Sequence, residues 1–431
     1  MTSRIYYTEP ACRTFDARVT RSFTHDGRPA VILDRTAFYP TSGGQPFDTG
    51  TLWDNPSGLS DPGAQRHGIA VVETLDVDDE VVHVLASAIA AGAAVHGEVA
   101  WARRFDHMQQ HTGQHVLSAV CERLSGNATV SVHMGADTST IDLARDVTAE
   151  DVARAEDEAN RVVWDDLEVA IRFVSAAEAA ALPLRKDSTR DGTLRLIEIG
   201  DVDLSACGGT HVATTGAIGS IAVTGWERFK GGSRVTFVCG GRALRSFRAL
   251  RHAVAGSVRL LSVLPAELPD AIERLQDEAR EHRRTVKRLQ AALATHEAAA
   301  LLDGATTLGG VRIVVRSVDG WDAAGLKSLA SGAVAGAVAN GGARGVAGGG
   351  VAAGGGVIVA LLTATSPVQI VIARSPGVNA DAGAMLRQLV ERFGGKGGGG
   401  PELAQGGGLA GDIREITWAV SGLIEDALTR A

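Results

Sequence analysis

Three histidines recur at four-residue intervals in the stretch HMQQHTGQH, which runs from His107 to His115. Residues four apart lie one above the other on a helix, so His111 and His115 can point at one ion. Taken alone, such a pair is more often an exposed or hydrogen-bonded face that binds nothing. A second pair favours a metal site, because ACGGTH places Cys207 and His211 on either side of two glycines and a threonine.

Two imidazoles, a thiolate and a further imidazole form a donor set that matches tetrahedral zinc. We therefore predict one zinc ion per chain. Four protein ligands are typical of a closed structural site, whereas a catalytic site needs an open position; the sequence leaves both readings open. Spacing alone would also let His107 replace His115, and we place His107 beside the ligands or on the substrate wall. Thr112 stands where the protease motif HExxH requires glutamate, which disfavours a metalloprotease.

The composition describes a soluble chain of two to four domains. Its 431 residues exceed a single hydrophobic core, and 45% of them are hydrophobic and 21% charged. The formal charge of −8 means that contacts with nucleic acid must come from local basic patches. Four cysteines form no CxxC pair, and no signal peptide is visible at the N-terminus, so we expect a reducing, cytoplasmic location.

Hydrophobic periodicity predicts an α+β chain with four regions. Residues 1–95 read as a β-barrel-like domain, and residues 96–255 as an α/β domain that carries the zinc site. Residues 256–304 read as a helical or coiled-coil spacer, and residues 305–431 as a small glycine-rich α/β domain. The uncharged segment from Gly345 to Ala373 raises the alternative of a membrane span, but its glycines and Pro367 favour two short strands.

Local sequence signals predict where the metal helix begins and where basic residues cluster. Asp106 is predicted to cap the metal helix, with Gln109 completing a capping box. Two basic clusters could contact phosphates or form plain solvated faces. One recurs every three residues from Arg242 to Arg251, and the other runs from His282 to Arg288 on the spacer.

The motifs resemble a known family. HMQQHTGQHVLSAV together with IGDVDLSACGGTHVATTGAIG is similar to the editing domain of alanyl-tRNA synthetase and of the free-standing alanyl-tRNA editing proteins, the AlaX family, in its long form. TAFYPTSGGQPFDTG resembles the glycine-rich element before that domain. GGKGGGGPELAQGGG resembles the C-terminal domain that these synthetases share with the DHH phosphoesterases, which makes the last region DHHA1-like.

The resemblance implies a zinc-dependent deacylase that hydrolyses the ester joining serine, or glycine, to tRNA(Ala). It implies metal ligands at His111, His115, Cys207 and His211. Candidate catalytic residues, which would place water, are Gln45, Gln114, His133 and Thr210. Candidate substrate-binding residues are Thr36, Thr41, Ser42, Gly43, Gly44 and Lys396. Whether zinc activates water or orients the substrate stays open.

Other readings remain at this point. A non-catalytic, zinc-stabilised tRNA-binding module is the main alternative. A phosphoesterase is disfavoured because no Asp-His-His string accompanies the C-terminal signature. About 95 residues precede the editing-like region, too few for an aminoacylation domain, so we expect an enzyme that only removes misattached amino acids. We expect no membrane partner, and the spacer helix or the C-terminal domain offers a surface for a homodimer.

Overall fold

The computed structural model describes residues 2–53, 68–186, 192–342 and 356–430, which form two units, Met1–Ser257 and Val258–Ala431. The first unit begins with eight strands. Strands β1 to β8 are Ser3–Arg4, Thr14–His25, Arg28–Leu33, Arg35–Thr36, Gly50–Trp53, Gly68–Val77, Glu80–Leu85 and Ala94–Val99. Six of them close a barrel in the order β2-β3-β7-β6-β5-β8.

Alternating side chains explain the barrel. Phe15 and Val19 on β2, like Ile69 and Val71 on β6, point inward, while the residues between them are more exposed. An acidic turn joins β6 to β7, and its central residues Asp78 and Asp79 have φ values of 50° and 63°. Such left-handed pairs match the twist of a two-residue hairpin.

The rest of the first unit packs around one long helix. Its elements are α1 Trp101–Ser125, β9 Thr129–Met134, β10 Ser139–Leu143, α2 Ala149–Trp164, β11 Val169–Ser175, α3 Ala176–Ala179, β12 Thr193–Ile199, β13 Asp203–Ala206, β14 Ile221–Phe229, β15 Gly232–Cys239 and α4 Gly241–Leu261. They form a four-stranded sheet, β14-β15-β10-β9, and a three-stranded sheet, β11-β12-β13. Helix α1 contributes Val116, Leu117 and Val120 to the core that α2 and both sheets share.

The second unit is a mixed sheet covered by helices on both faces. Its elements are α5 Leu268–Asp303, β16 Thr306–Leu308, β17 Val311–Val318, α6 Ala323–Gly342, β18 Val357–Thr363, β19 Val368–Arg374, α7 Ala382–Phe393, β20 Lys396–Gly399, β21 Leu403–Leu409 and α8 Ile413–Thr429. Alternate residues of β18 pack against α5 and α6 or against α7 and α8. Burial on both faces explains why this strand is apolar throughout.

The structure confirms a mixed α and β chain whose N-terminal part is a closed barrel, and it contains the helices and strands expected in the last region. The boundaries at 95, 255 and 304 stay a prediction. Of the uncharged segment considered as a membrane span, residues 345–355 lie outside the described residues. Across the described part of the chain, no helix combines the length and apolar character needed to cross a bilayer.

Candidate metal centre

Helix α1 carries two of the four predicted ligands in an almost fully buried stretch from His107 to Cys121. The predicted cap at Asp106 is wrong, because the helix already begins at Trp101. Asp106 lies inside the helix and forms an ion pair with Arg242, with its Oδ2 2.7 Å from Nη2. Asp106 thus has a tertiary partner instead of a capping role. Because Arg242 is that partner, it is not available to the basic cluster predicted from Arg242 to Arg251.

The four predicted ligands converge. The candidate donor atoms of His111, His115, Cys207 and His211 all lie within 4.8 Å of one another. Cys207 Sγ is 3.3 Å from His111 Nε2 and 3.4 Å from His211 Nε2. Zinc bond lengths of about 2.3 Å to sulfur and 2.0–2.1 Å to nitrogen would put these atoms about 3.6 Å apart in a tetrahedron. The donor set and its spacing therefore fit zinc.

A second hydrogen bond fixes each imidazole, so that its Nε2 atom is left for the cluster. The Nδ1 pairs are His111 with Gln45 Oε1 at 2.8 Å, His115 with Asp203 Oδ2 at 2.7 Å, and His211 with Thr112 Oγ1 at 3.2 Å. Metal-binding histidines nearly always have such a partner, which sets the tautomer and the ring orientation. Each of the three rings thus has the outer hydrogen bond that a metal-binding histidine would use.

Electrostatics at the cluster favour metal-binding forms of two ligands. Burial opposes ionisation of the Cys207 thiol, but His111 and His211 beside it lower its pKa well below the ordinary value. Burial, together with the charge of His111, lowers the pKa of His211 to about 3, which keeps this imidazole neutral. Burial also disfavours charge on His115, yet Asp203 and Cys207 raise its pKa to about 9. A metal ion would have to replace that proton.

The glycine-rich loop reaches the cluster from the barrel. Ser42 and Gln45 exchange main-chain hydrogen bonds of 3.2 and 2.9 Å, and the two glycines between them have φ values of 57° and 86°. This left-handed turn requires glycine. It delivers Gln45, which is fully buried and bonds to His111 and to both the amide and the hydroxyl of Thr210. Gln45 therefore orients the His111 ring and links it to Thr210.

Other predicted residues lie at varied positions. Gln114 is buried on α1 and donates to Ser118 Oγ at 2.9 Å. His133 lies exposed on β9, next to Val132, whose carbonyl faces Gly44 of the loop. Among the substrate-binding candidates, Thr36 is bonded to His83 inside the first unit at 2.8 Å, and Thr41 accepts from Phe47 N at 3.2 Å. Ser42, Gly43 and Gly44 are exposed on the loop, and Lys396 is exposed on β20 of the second unit.

His107 lies one turn before His111 and is only 4% exposed. Burial lowers its pKa to about 4, and Arg103 adds to this effect. Its Nδ1 atom is buried and has no hydrogen-bond partner among the residues described. The structure does not place His107 in the converging set, so its proposed position beside the ligands or on the substrate wall stays a prediction.

Sequence reasoning did not single out several buried polar residues around the cluster. Asp203 forms a hydrogen bond with His115. In the sequence it is marked only as an acidic residue four positions before Cys207. Arg104 is fully buried, pairs with Asp48 of the glycine-rich loop, and donates to the carbonyls of Pro10 and Ala37. No local pattern distinguishes such an arginine from a surface one, because its partners are distant in sequence.

Comparisons with known proteins identify relatives of this chain. A family model described as the threonyl and alanyl tRNA synthetase second additional domain matches residues 194–236, which include Cys207 and His211. That part of the chain is therefore similar to a domain found as an addition to tRNA synthetases. The alanyl-tRNA editing protein AlaX-L of Pyrococcus horikoshii is 30% identical over 417 residues, which cover 94% of each chain. The chain belongs to the alanyl-tRNA editing proteins, the AlaX family, in its long form, as the resemblance predicted.

Alanine–tRNA ligases are also similar. The ligase of Pyrococcus abyssi is 32% identical over 302 residues, and that of Methanoculleus marisnigri is 33% identical over 420 residues. The matched regions span only 32% and 41% of these two ligases. Among solved structures, the C-Ala domain from Aquifex aeolicus alanyl-tRNA synthetase matches 28% of this chain and 97% of its own, with 19% identity and a TM-score of 0.21.

Proposed function

We propose that the protein hydrolyses the ester joining serine or glycine to tRNA(Ala), at a zinc ion held by His111, His115, Cys207 and His211. The observation that carries the proposal is the convergence of these four donors in a chain of the editing-protein family. The alternative is a set of histidines that binds nothing. Three separate hydrogen bonds orient the rings, which argues against that alternative. A zinc ion in this set would supply Lewis-acid chemistry to an ester carbonyl or to water.

The chain's own residues supply positioning. Gln45 bonds to both His111 and Thr210, so it joins the barrel loop to the CGGTH loop beside the cluster. Gly43 and Gly44 expose main-chain amides in a left-handed turn, a geometry that can bind a carbonyl or phosphate oxygen. An aminoacyl ester is already activated by its own amino group. Orientation of the ester and of water by these polar groups, including Gln114 and His133, is then the main requirement.

A second candidate function has its own support. Four converging protein ligands match the closed coordination of structural zinc sites. In that case the chain would be a non-catalytic, zinc-stabilised tRNA-binding module. The two candidates differ in whether purified protein shortens the lifetime of a mischarged tRNA.

Deacylation of serine-charged, glycine-charged and alanine-charged tRNA(Ala) tests the proposal. We expect rapid release of serine or glycine, slow release of alanine, loss of activity after chelation and recovery with added Zn²⁺. Serine release that survives complete zinc removal would take zinc out of the mechanism. No release from any charged tRNA, with zinc bound and tRNA binding intact, would establish the binding module instead.

The proposal extends to partners and location. We place the protein in the cytoplasm, with tRNA(Ala) as its nucleic-acid partner and Lys396 in the glycine-rich last region as one of the tRNA contacts. A homodimer through the spacer helix is supported by apolar side chains of α5 at heptad spacing. These side chains are between 46% and 60% exposed: Leu275, Val286, Leu289 and Leu293. Sedimentation of the wild type and of Leu289→Lys tests this homodimer. A monomeric wild type would refute it.

A further inference from the structure

Helix α1 presents its two candidate ligands on one side and a set of buried polar contacts on the other. Successive residues of a helix are about 100° apart around its axis. His111 and His115 therefore share the side that faces the cluster. Gln109, Gln110 and Gly113 lie roughly opposite, and we call these three residues the rear face of α1. Both glutamines are buried, with exposed fractions of 8% and 0%.

Gln110 binds the main chain of a single residue through both of its hydrogen-bonding groups. Its Nε2 donates to the Cys239 carbonyl at 3.1 Å, and its Oε1 accepts from the Cys239 amide at 2.8 Å. Cys239 is the last residue of β15 and is fully buried. Hydrogen bonds are directional, so two bonds to one residue fix the orientation of the side chain as well as its distance. Gln110 thus holds α1 at a set rotation against the end of β15.

Gln109 joins α1 to two further segments. Its Nε2 donates to the Ala217 carbonyl at 3.0 Å, in the turn Thr215–Ile218. Its Oε1 accepts from the Gly241 amide at 3.4 Å, where α4 begins. The turn closely follows His211 along the chain. The bond to Ala217 therefore connects α1 with the segment that delivers a candidate ligand from the other pair.

Two glycines allow the close approach at the rear face. Gly113 has no side chain where α1 passes Cys239, and a Cβ atom there would overlap the buried sulfur. Gly240 has a φ of 52°, a conformation that favours glycine, and a Cβ atom on it would overlap the Gln109 amide group. The rear face is therefore seated directly on the segment from Cys239 to Gly241.

We propose that Gln109, Gln110 and Gly113 are positioning residues for the metal centre. They set the rotation and depth of α1, so that its two histidines meet Cys207 and His211. The proposal rests on the zinc site of the proposed function. Its test therefore measures metal binding and metal geometry and does not depend on deacylation.

Rotation of α1 is the quantity to which the ligand positions are most sensitive. A side-chain atom at the surface of a helix lies about 5–6 Å from the axis, so a rotation of about 10° moves it by about 1 Å. Metal–ligand distances tolerate changes of only about 0.2 Å. Apolar cores lose a unique arrangement before they lose stability. The directed bonds of the two glutamines oppose such rotation, which explains why amides are buried on a face that apolar side chains could cover.

The first test replaces directed bonds with apolar packing. Gln110→Met keeps the length of the side chain but removes both bonds to Cys239. Zinc affinity should fall by about 10- to 100-fold, the usual effect of losing a group that orients a ligand. Val120→Ala is the control, because Val120 is fully buried on the same side of α1 but has no hydrogen-bonding side chain. This control should lose stability and keep the zinc affinity of the wild type.

The second test adds bulk at the rear face and then removes the obstacle. Gly113→Ala should push α1 away from Cys239 and weaken zinc binding. Combining Gly113→Ala with Cys239→Ala removes the sulfur, so that the new methyl group keeps only the Cys239 Cβ atom and Ile218 Cγ2 as neighbours, each at an ordinary 3.5 Å. The double variant should bind zinc nearly as tightly as the wild type. A general loss of packing would not be repaired by a second truncation.

Two readouts on the full-length protein separate geometry from stability. Zinc affinity is measured by competition with a chromophoric chelator, and stability by denaturant unfolding. Cobalt(II) placed in the same site reports the coordination geometry through its visible absorption. The wild type, Val120→Ala and the double variant should share one tetrahedral spectrum. Gln110→Met and Gly113→Ala should show altered spectra.

The results distinguish this inference from the proposed function. Wild-type zinc affinity and cobalt spectra in Gln110→Met and Gly113→Ala would overturn it. Equal losses of zinc affinity in Gln110→Met and Val120→Ala would do the same, because zinc binding would then follow stability alone. A wild type that binds zinc but deacylates no tRNA would remove the proposed function, while the variants would still decide the role of the rear face. A wild type that binds neither metal would overturn both.

Discussion

A methyl group added at Gly209 should dismantle the metal centre. The new Cβ atom of Gly209→Ala would overlap Cε1 and Nδ1 of the His111 ring and lie 3.0 Å from Gln45 Oε1. Nonbonded carbon atoms stay about 3.5–4.0 Å apart, so the ring would have to move by roughly 1 Å or more. Metal–ligand distances tolerate changes of only about 0.2 Å. We therefore expect Gly209→Ala to lose His111 as a ligand.

The expected loss of zinc binding free energy is estimated by dividing the whole equally among four ligands. Structural sites bind zinc with roughly 10–16 kcal/mol, of which a quarter is about 3 kcal/mol. Such a loss lowers the affinity for zinc by more than about 100-fold. Gly208→Ala is the matched control, because its Cβ atom makes only ordinary contacts of 3.8 and 3.9 Å with Tyr7.

Zinc per chain, measured by plasma emission after dialysis against graded chelator, checks this prediction. Wild type and Gly208→Ala should retain one zinc at chelator concentrations that strip Gly209→Ala. Cys207→Ala serves as the reference for a missing ligand, and circular dichroism verifies that each variant is folded. A Gly209→Ala protein that holds zinc as tightly as wild type would falsify the placement of His111 in the cluster.

Four further outcomes are expected. Asp203→Asn should weaken zinc binding by about 10- to 100-fold, because it removes the charged support of a histidine ligand. A chain ending at Ser257 should keep zinc and kcat but show a raised KM, since it loses only the second unit. Replacing exposed hydroxyls of the glycine-rich loop, by Thr41→Val and Ser42→Ala, should lower the ratio of kcat/KM for serine over alanine esters. Burial lowers the pKa of His83 to about 4, so stability present above pH 6.5 should fall by about 3 kcal/mol as the pH drops to 4.

Each of these outcomes has a contrary result. Unchanged zinc affinity in Asp203→Asn would show that Asp203 does not support the ligand. A folded, zinc-containing chain ending at Ser257 with reduced kcat would assign part of the chemistry to the second unit. A wild-type serine-to-alanine ratio in both loop variants would make the loop a scaffold. His83→Gln should lose stability less steeply than wild type below pH 6.5, and equal slopes would contradict the assignment to His83.

The four candidate metal ligands were predictable because short-range spacing in the sequence brings each pair together. Four-residue intervals on a helix bring His111 and His115 onto one face, and glycines let Cys207 and His211 approach each other. The long apolar strands of the second unit were predictable for the same reason, since burial on both faces leaves an uninterrupted hydrophobic run. The family followed from these motifs.

What remained hidden depends on residues distant in sequence. Asp106 has a good capping sequence, but it lies inside the helix and pairs with a residue 136 positions away. Arg195 bonds to a carbonyl 188 residues away, and Thr36, expected near the substrate, is satisfied by His83 within its own unit. Local propensity does not encode these pairings, because tertiary contacts decide between several acceptable local roles.

The two ligand pairs are far apart along the chain, with His111 and Cys207 separated by 96 residues. An ion that binds both pairs acts as a reversible cross-link, comparable to a disulfide that closes a large loop. In the chain-entropy model, closing a loop of about 100 residues stabilises a fold by about 4–5 kcal/mol. The ion would therefore restrict the unfolded chain as well as serve the site, and a newly made chain could gain this restraint only after residue His211 has been synthesised.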